Sequence, residues 1–122
     1  MLQIQTKVKI SDNTGGKVGS CLKIYKSKKG SIGDFLLISI KKIKPLKKHR
    51  LKLVKGDIYK ALIIRTQYKT LNFSNNYIRF NQNSIILLNN NKPLGTRIFG
   101  PIPIKLRKQK LFKIISLSSI LV

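Results

Sequence analysis

The sequence predicts a mainly β protein: five or six short strands closed into a small barrel, with one or two helical turns towards the C-terminus. Three observations carry that expectation. Short β-prone runs recur along the chain, turn residues punctuate them, and neither an internal repeat nor a shift in composition marks a second domain. Closure into a barrel removes the edges that several short strands would otherwise expose.

Taken in order, residues 4–10 place Ile4, Thr6, Val8 and Ile10 on one face of a strand. Asp12-Asn13-Thr14-Gly15-Gly16 ends that pattern, because Asn and Gly tolerate the positive φ of tight turns. A second strand is expected from Val18 to Tyr25, holding Cys21, Leu22 and Ile24. Residues 26–34 form a basic hairpin tip ending in Gly33-Asp34, and 35–43 a third strand. After a basic excursion over 44–55 and a Gly56-Asp57 turn, 58–65 (IYKALIIR) is almost continuously apolar, as for a strand buried inside a barrel. Residues 67–76 are a polar loop with a hairpin turn at Asn75-Asn76. Tyr77–Phe80 and Ser84–Leu88 are two short strands around Asn81-Gln82-Asn83, and 89–96 is a loop. Helical spacing at Ile104, Leu106, Leu111, Ile114 and Ile115 predicts one or two short helical turns within 103–119, with Pro103 suited to a first turn.

Charge narrows the function. The chain holds 26 Lys and Arg against 3 acidic residues, a formal net charge of +23 in 122 residues. So basic a chain repels itself unless something anionic surrounds it: RNA, DNA or an anionic membrane. An apolar share of 42%, rich in Ile and Leu, excludes a wholly disordered basic tail. The single Cys21 permits no internal disulfide and reads as a small core residue. Residues 1–10 have neither the apolar core of a signal peptide nor the Arg- and Ser-rich pattern of a transit peptide, so no presequence is expected. The longest apolar-rich stretch, 111–122, falls short of the roughly 20 apolar residues a bilayer span needs, and no membrane partner is expected.

Catalysis finds little supply. His49 is the only histidine and stands in a basic run. Asp12, Asp34 and Asp57 all sit in turn chemistry, too few and too scattered for an acid–base pair or a metal-dependent nuclease. No Cys/His spacing suits zinc, and Gly15-Gly16 lacks the Lys-Ser/Thr that completes a phosphate-binding loop. The expectation is a protein with no enzymatic activity, no cofactor and no metal.

The basic clusters are the candidate site. Residues 41–55 carry Lys41, Lys42, Lys44, Lys47, Lys48, Arg50, Lys52 and Lys55, and Pro45 interrupts helix there. We read an extended hairpin reaching into folded nucleic acid. Lysine supplies a mobile point charge, which suits phosphate contact more than base reading. A second set is Lys105, Arg107, Lys108, Lys110 and Lys113, with Arg107 and Lys110 on one helix face; a third is Lys26, Lys28 and Lys29. Arg65 and Arg79 complete the expected RNA-binding cations. The aromatics are scattered, which argues for folded RNA recognised by shape and phosphate over a single-strand binder.

Several segments together resemble one family. They are Asp12-Asn13-Thr14-Gly15-Gly16, Gly33-Asp34, Lys55-Gly56-Asp57 with Lys60-Ala61, Ile63-Ile64-Arg65-Thr66, Ile78-Arg79-Phe80, Leu87-Leu88-Asn89-Asn90-Asn91, Gly95-Thr96-Arg97-Ile98-Phe99-Gly100-Pro101 and Lys113-Ile114-Ile115-Ser116-Leu117. In this order they resemble the universal large-subunit ribosomal protein number fourteen, in its bacterial type, across essentially the whole chain. The resemblance implies a single domain over 1–122: a five-stranded closed β-barrel with a C-terminal region of loops and short helices from about 90 to 122. It implies a structural constituent of the large ribosomal subunit that binds large-subunit rRNA near the subunit interface. It further implies bridges to small-subunit rRNA and neighbours in ribosomal proteins three and nineteen. The family's face for ribosome-silencing factor maps to Thr96, Arg97, Lys113 and Ser116. The chain departs from the pattern at Asn75-Asn76, where the family has Asp-Gly, and in its acid-free C-terminal stretch ending Ser118-Ser119-Ile120. The AT-rich composition suggests an organelle-encoded protein of the mitochondrial matrix, with a plastid or a bacterial cytoplasm as alternatives. The rival reading is a free-standing single-strand or nucleoid-binding basic barrel, which would need exposed stacking aromatics.

Overall fold

Alternation of side chains about short strands produces the barrel. The computed structural model describes residues 2–45, 53–71, 75–108 and 111–122. Strands β1 (Lys7–Ile10), β2 (Gly16–Ile24), β3 (Phe35–Ile43) and β4 (Ile58–Arg65) follow one another as antiparallel neighbours. A two-strand ribbon, β5 (Thr70–Leu71) with β6 (Tyr77–Ile78), precedes β7 (Ser84–Asn89) and β8 (Lys92–Pro93). β7 lies antiparallel to β4 and parallel to β1, and this last pairing closes a five-stranded barrel. The inward positions form one buried cluster that includes Val8, Ile10, Cys21, Ile38, Ile40, Ala61, Ile63, Ile85 and Leu87. Cys21 is the small core residue its pattern suggested.

The apolar run in β4 has a second cause beyond the barrel interior. Ala61 and Ile63 point inward, while Leu62 and Ile64 point outward and are equally buried. Ile86 and Leu88 of β7 join them, and the C-terminal segment covers all four with Ile98, Ile102, Leu106 and Ile114. Removing each Ile or Leu side chain from water contributes about 1.5–3 kcal/mol.

Two short helices lie in that cover, α1 (Lys105–Lys108) and α2 (Phe112–Leu117). Neither is long enough to persist alone, and α2 has no side-chain cap. Leu106 and Ile114 anchor them on the barrel. Backbone bridges from Ile98 to Ser118 and from Ile102 to Leu121 fold the C-terminus back along the same cover. The expected helical turns are present as two pieces; Lys110, expected on one helix face with Arg107, lies outside the described residues.

Two other expectations are corrected. The strand expected over 4–10 begins at Lys7. Gln5 has φ +72°, which turns Ile4 out to 59% exposure and lets Leu2 close the barrel end against Gly30. The supposed loop over 89–96 contains a hairpin: Asn90 and Asn91 both have positive φ, and Asn89 pairs with Lys92. That is the two-residue turn for which Asn is favoured, because its side chain tolerates the left-handed region.

Candidate nucleic-acid interface

All three carboxylates are occupied by neutral donors. Asp12 accepts from the amide of Leu87 at 2.9 Å and from the amide and hydroxyl of Thr14. Asp34 accepts from the amide and hydroxyl of Ser31, and Asp57 from the amide of Val54. Burial pushes the Asp12 carboxyl above its ordinary value of 3.8, outweighing these hydrogen bonds and the nearby charge of Lys44. The carboxylates thus fasten turns and the β1–β7 seam.

The seam also joins two of the family-like segments. The Asn13 side-chain oxygen accepts from the amides of Thr96 and Arg97, and its side-chain nitrogen donates to the Thr96 hydroxyl at 2.7 Å. Arg65 fastens the next stretch: its guanidinium donates to the carbonyls of Phe99 and Pro101 and to the Ser11 hydroxyl. Gly100 stands at φ +84°, and a Cβ there would overlap that guanidinium. Desolvation pushes the pKa of Arg65 below its ordinary value. Arg65 is thus half-buried and holds the loop, whereas sequence reading grouped it with the RNA-facing cations.

The remaining cations are distributed as follows. Lys26, Lys28 and Lys29 are exposed on the β2–β3 loop, Lys41 and Lys42 at the end of β3, and Lys55 and Arg79 on loops. Lys44 is partly covered, with its ammonium 5.3 Å from the centre of the Phe99 ring. On α1, Arg107 is exposed and Lys105 partly so. Lys47, Lys48, Arg50 and Lys52, with His49, lie outside the described residues, as does the side chain of Lys108. Thr96, Arg97, Lys113 and Ser116 are all exposed, and the Ile98–Ser118 bridge brings their two segments side by side.

Of the cations outside the expected sets, three lie together. Lys7 and Lys9 alternate with buried Val8 and Ile10 and face outward, and Lys17 of β2 is exposed beside them. With Lys41 and Lys42 they line a groove of about 560 Å³ over β1–β3, rimmed by Gln67, Gln82 and Asn83. Period-two alternation in 7–10 was the available signal; attention to runs of lysine passed over it. Tyr25, Tyr68, Tyr77, Phe99 and Phe112 are exposed, and the ammoniums of Lys23 and Lys60 stand over the Tyr25 ring at 5.3 and 5.5 Å.

Among the described residues no three of His, Cys, Asp or Glu gather where they could hold a metal ion, and no helix is long and apolar enough to cross a membrane. The chemistry on offer is cationic contact from a rigid barrel, with acids withdrawn into turns. The sequence model of the family described as ribosomal protein L14p/L23e matches residues 1–122, and the chain belongs to that family, a structural component of the large ribosomal subunit and not an enzyme.

Proposed function

We propose that the protein binds large-subunit rRNA directly, near the subunit interface, and contributes to bridges with small-subunit rRNA. The observation that carries this reading is the division of charge: each of the three carboxylates accepts from neutral donors within the fold, while most of the described lysines and arginines face solvent. Basic groups neutralise phosphates that would otherwise repel, and the barrel holds those groups in fixed relation. Ribosomal proteins three and nineteen are its neighbours. The adjoining segments that hold Thr96, Arg97, Lys113 and Ser116 form a docking face for ribosome-silencing factor. The compartment is the mitochondrial matrix, with a plastid or bacterial cytoplasm as alternatives.

Sedimentation of a tagged form from an organellar lysate tests this, with RNA and protein identified in each fraction at low and high salt. Co-migration with the large subunit and with intact ribosomes is expected. Migration in light fractions with DNA would favour the free-standing nucleoid-binding barrel instead. In a binding assay with isolated RNA, contact with about 6–10 phosphates lowers affinity roughly 10³–10⁵-fold between 50 and 200 mM salt. A flat salt response sinks the electrostatic mechanism.

A further inference from the structure

The groove over β1–β3 has a construction that a chance scatter of surface lysines lacks. Lys9, Val18 and Lys42 are in register across the three strands. The ladder between β2 and β3 slips twice beside this row. Between Gly16 and Val18 the extra residue is Lys17; between Val18 and Gly19, whose partners are Lys42 and Ile40, it is Lys41. Bulges re-aim side chains that regular pleating would send to alternate faces. Here both inserted residues are lysines, and both line the groove with Lys7, Lys9 and Lys42.

The result is two cationic walls on a strand-built floor. Lys7 and Lys9 stand two residues apart on β1, about 7 Å at the strand rise, a step like that between successive phosphates on a nucleic-acid strand. The Lys41–Lys42 wall lies two strand spacings away, about 10 Å, with Val18 between. The rim is held in place: Asn83 accepts from the Gln67 amide at 2.9 Å, and the Gln67 side chain donates to the Asn81 carbonyl at 2.7 Å. None of the described residues lining the groove is aromatic, so these side chains offer no platform for unstacked bases. Amide groups beside a backbone track suit the 2′-hydroxyls of an RNA helix.

We propose that this groove seats the phosphodiester backbone of one strand of an RNA helix, a contact surface that shares Lys41 and Lys42 with the basic 41–55 segment and otherwise lies apart from the basic loops. It rests on the RNA-binding reading above and adds the place and the form of RNA. The test uses the full chain with two probes, a short RNA duplex and an unstructured single strand of the same length, titrated between about 50 and 200 mM salt. One variant combines Lys7→Gln, Lys9→Gln and Lys42→Gln. A control removes the same charge elsewhere, at exposed Lys23, Lys69 and Lys92. Thermal melting of both variants verifies folding.

Loss of three phosphate contacts should reduce the salt slope on duplex by about 2–3 units, while the control shifts it by less than about one. Equal losses in the two variants would mean that only net charge matters, overturning the groove and leaving the RNA reading intact. A groove effect confined to the single strand would overturn the helix assignment. Salt-independent or absent binding by the unmodified protein would overturn the RNA reading itself, and the groove with it.

Discussion

The β1–β3 wall and the β4–β7 wall belong to one barrel but present opposite outer faces. On β1 and the adjoining ends of β2 and β3, inward Val8, Ile10 and Ile40 alternate with outward lysines. On β4 and β7, both faces are apolar and buried, because the C-terminal segment lies over the outside. The difference teaches that an outward strand position in this fold takes its chemistry from what covers it. Where none of the described residues covers the wall, lysine keeps it solvated and attractive to an anionic partner; where the C-terminus does, Ile and Leu carry stability.

That contrast can be broken most forcefully from the covered side. Leu62→Ala or Ile86→Ala should each cost about 2–5 kcal/mol in denaturant unfolding, as for any well-packed large-to-small change. A cost below about 1 kcal/mol would show that the cover is loosely seated. Asp12→Ala comes next. It strands the buried amide of Leu87 where the two walls meet, and should cost about 3 kcal/mol. Gly100→Ala tests the pin on the cover: left-handed backbone and overlap with Arg65 together should cost about 2 kcal/mol. Smallest is the open wall, where Lys7→Gln, Lys9→Gln and Lys42→Gln should each change stability by no more than about 0.5 kcal/mol. A large loss there would make the lysines structural and erase the contrast.

The seam also has a pH signature. The folded carboxyl of Asp12 titrates above its ordinary 3.8 because of burial. The folded state therefore holds that proton more tightly than the unfolded chain, so Asp12 favours folding below 3.8, and this contribution is lost as pH rises through the raised value. Measured against Asp12→Asn, the unmodified protein should lose relative stability with rising pH across that window. Parallel pH profiles would show that hydrogen bonding offsets the desolvation in full.

Much of the architecture was legible along the chain. The third and fourth strands match residues 35–43 and 58–65 as read, because dense β-branched and apolar runs between glycine turns leave little latitude. The strand start at Lys7 was not legible: the left-handed Gln5 follows from Leu2 filling the barrel end, a contact with residues far along the chain. Likewise Arg65 reads as one more cation until the carbonyls of Phe99 and Pro101 are brought to it across 34 and 36 residues.

By itself the sequence determined an anionic class of partner and the main strands with their turns, since charge, composition and local backbone preference are properties of neighbouring residues. Tertiary structure turned Arg65 inward to hold a loop and gathered Lys7, Lys9, Lys17, Lys41 and Lys42 into one groove. Strand register and bulge position set that gathering. Both are fixed by how the barrel closes on its core, a long-range packing constraint with no local signal in the chain.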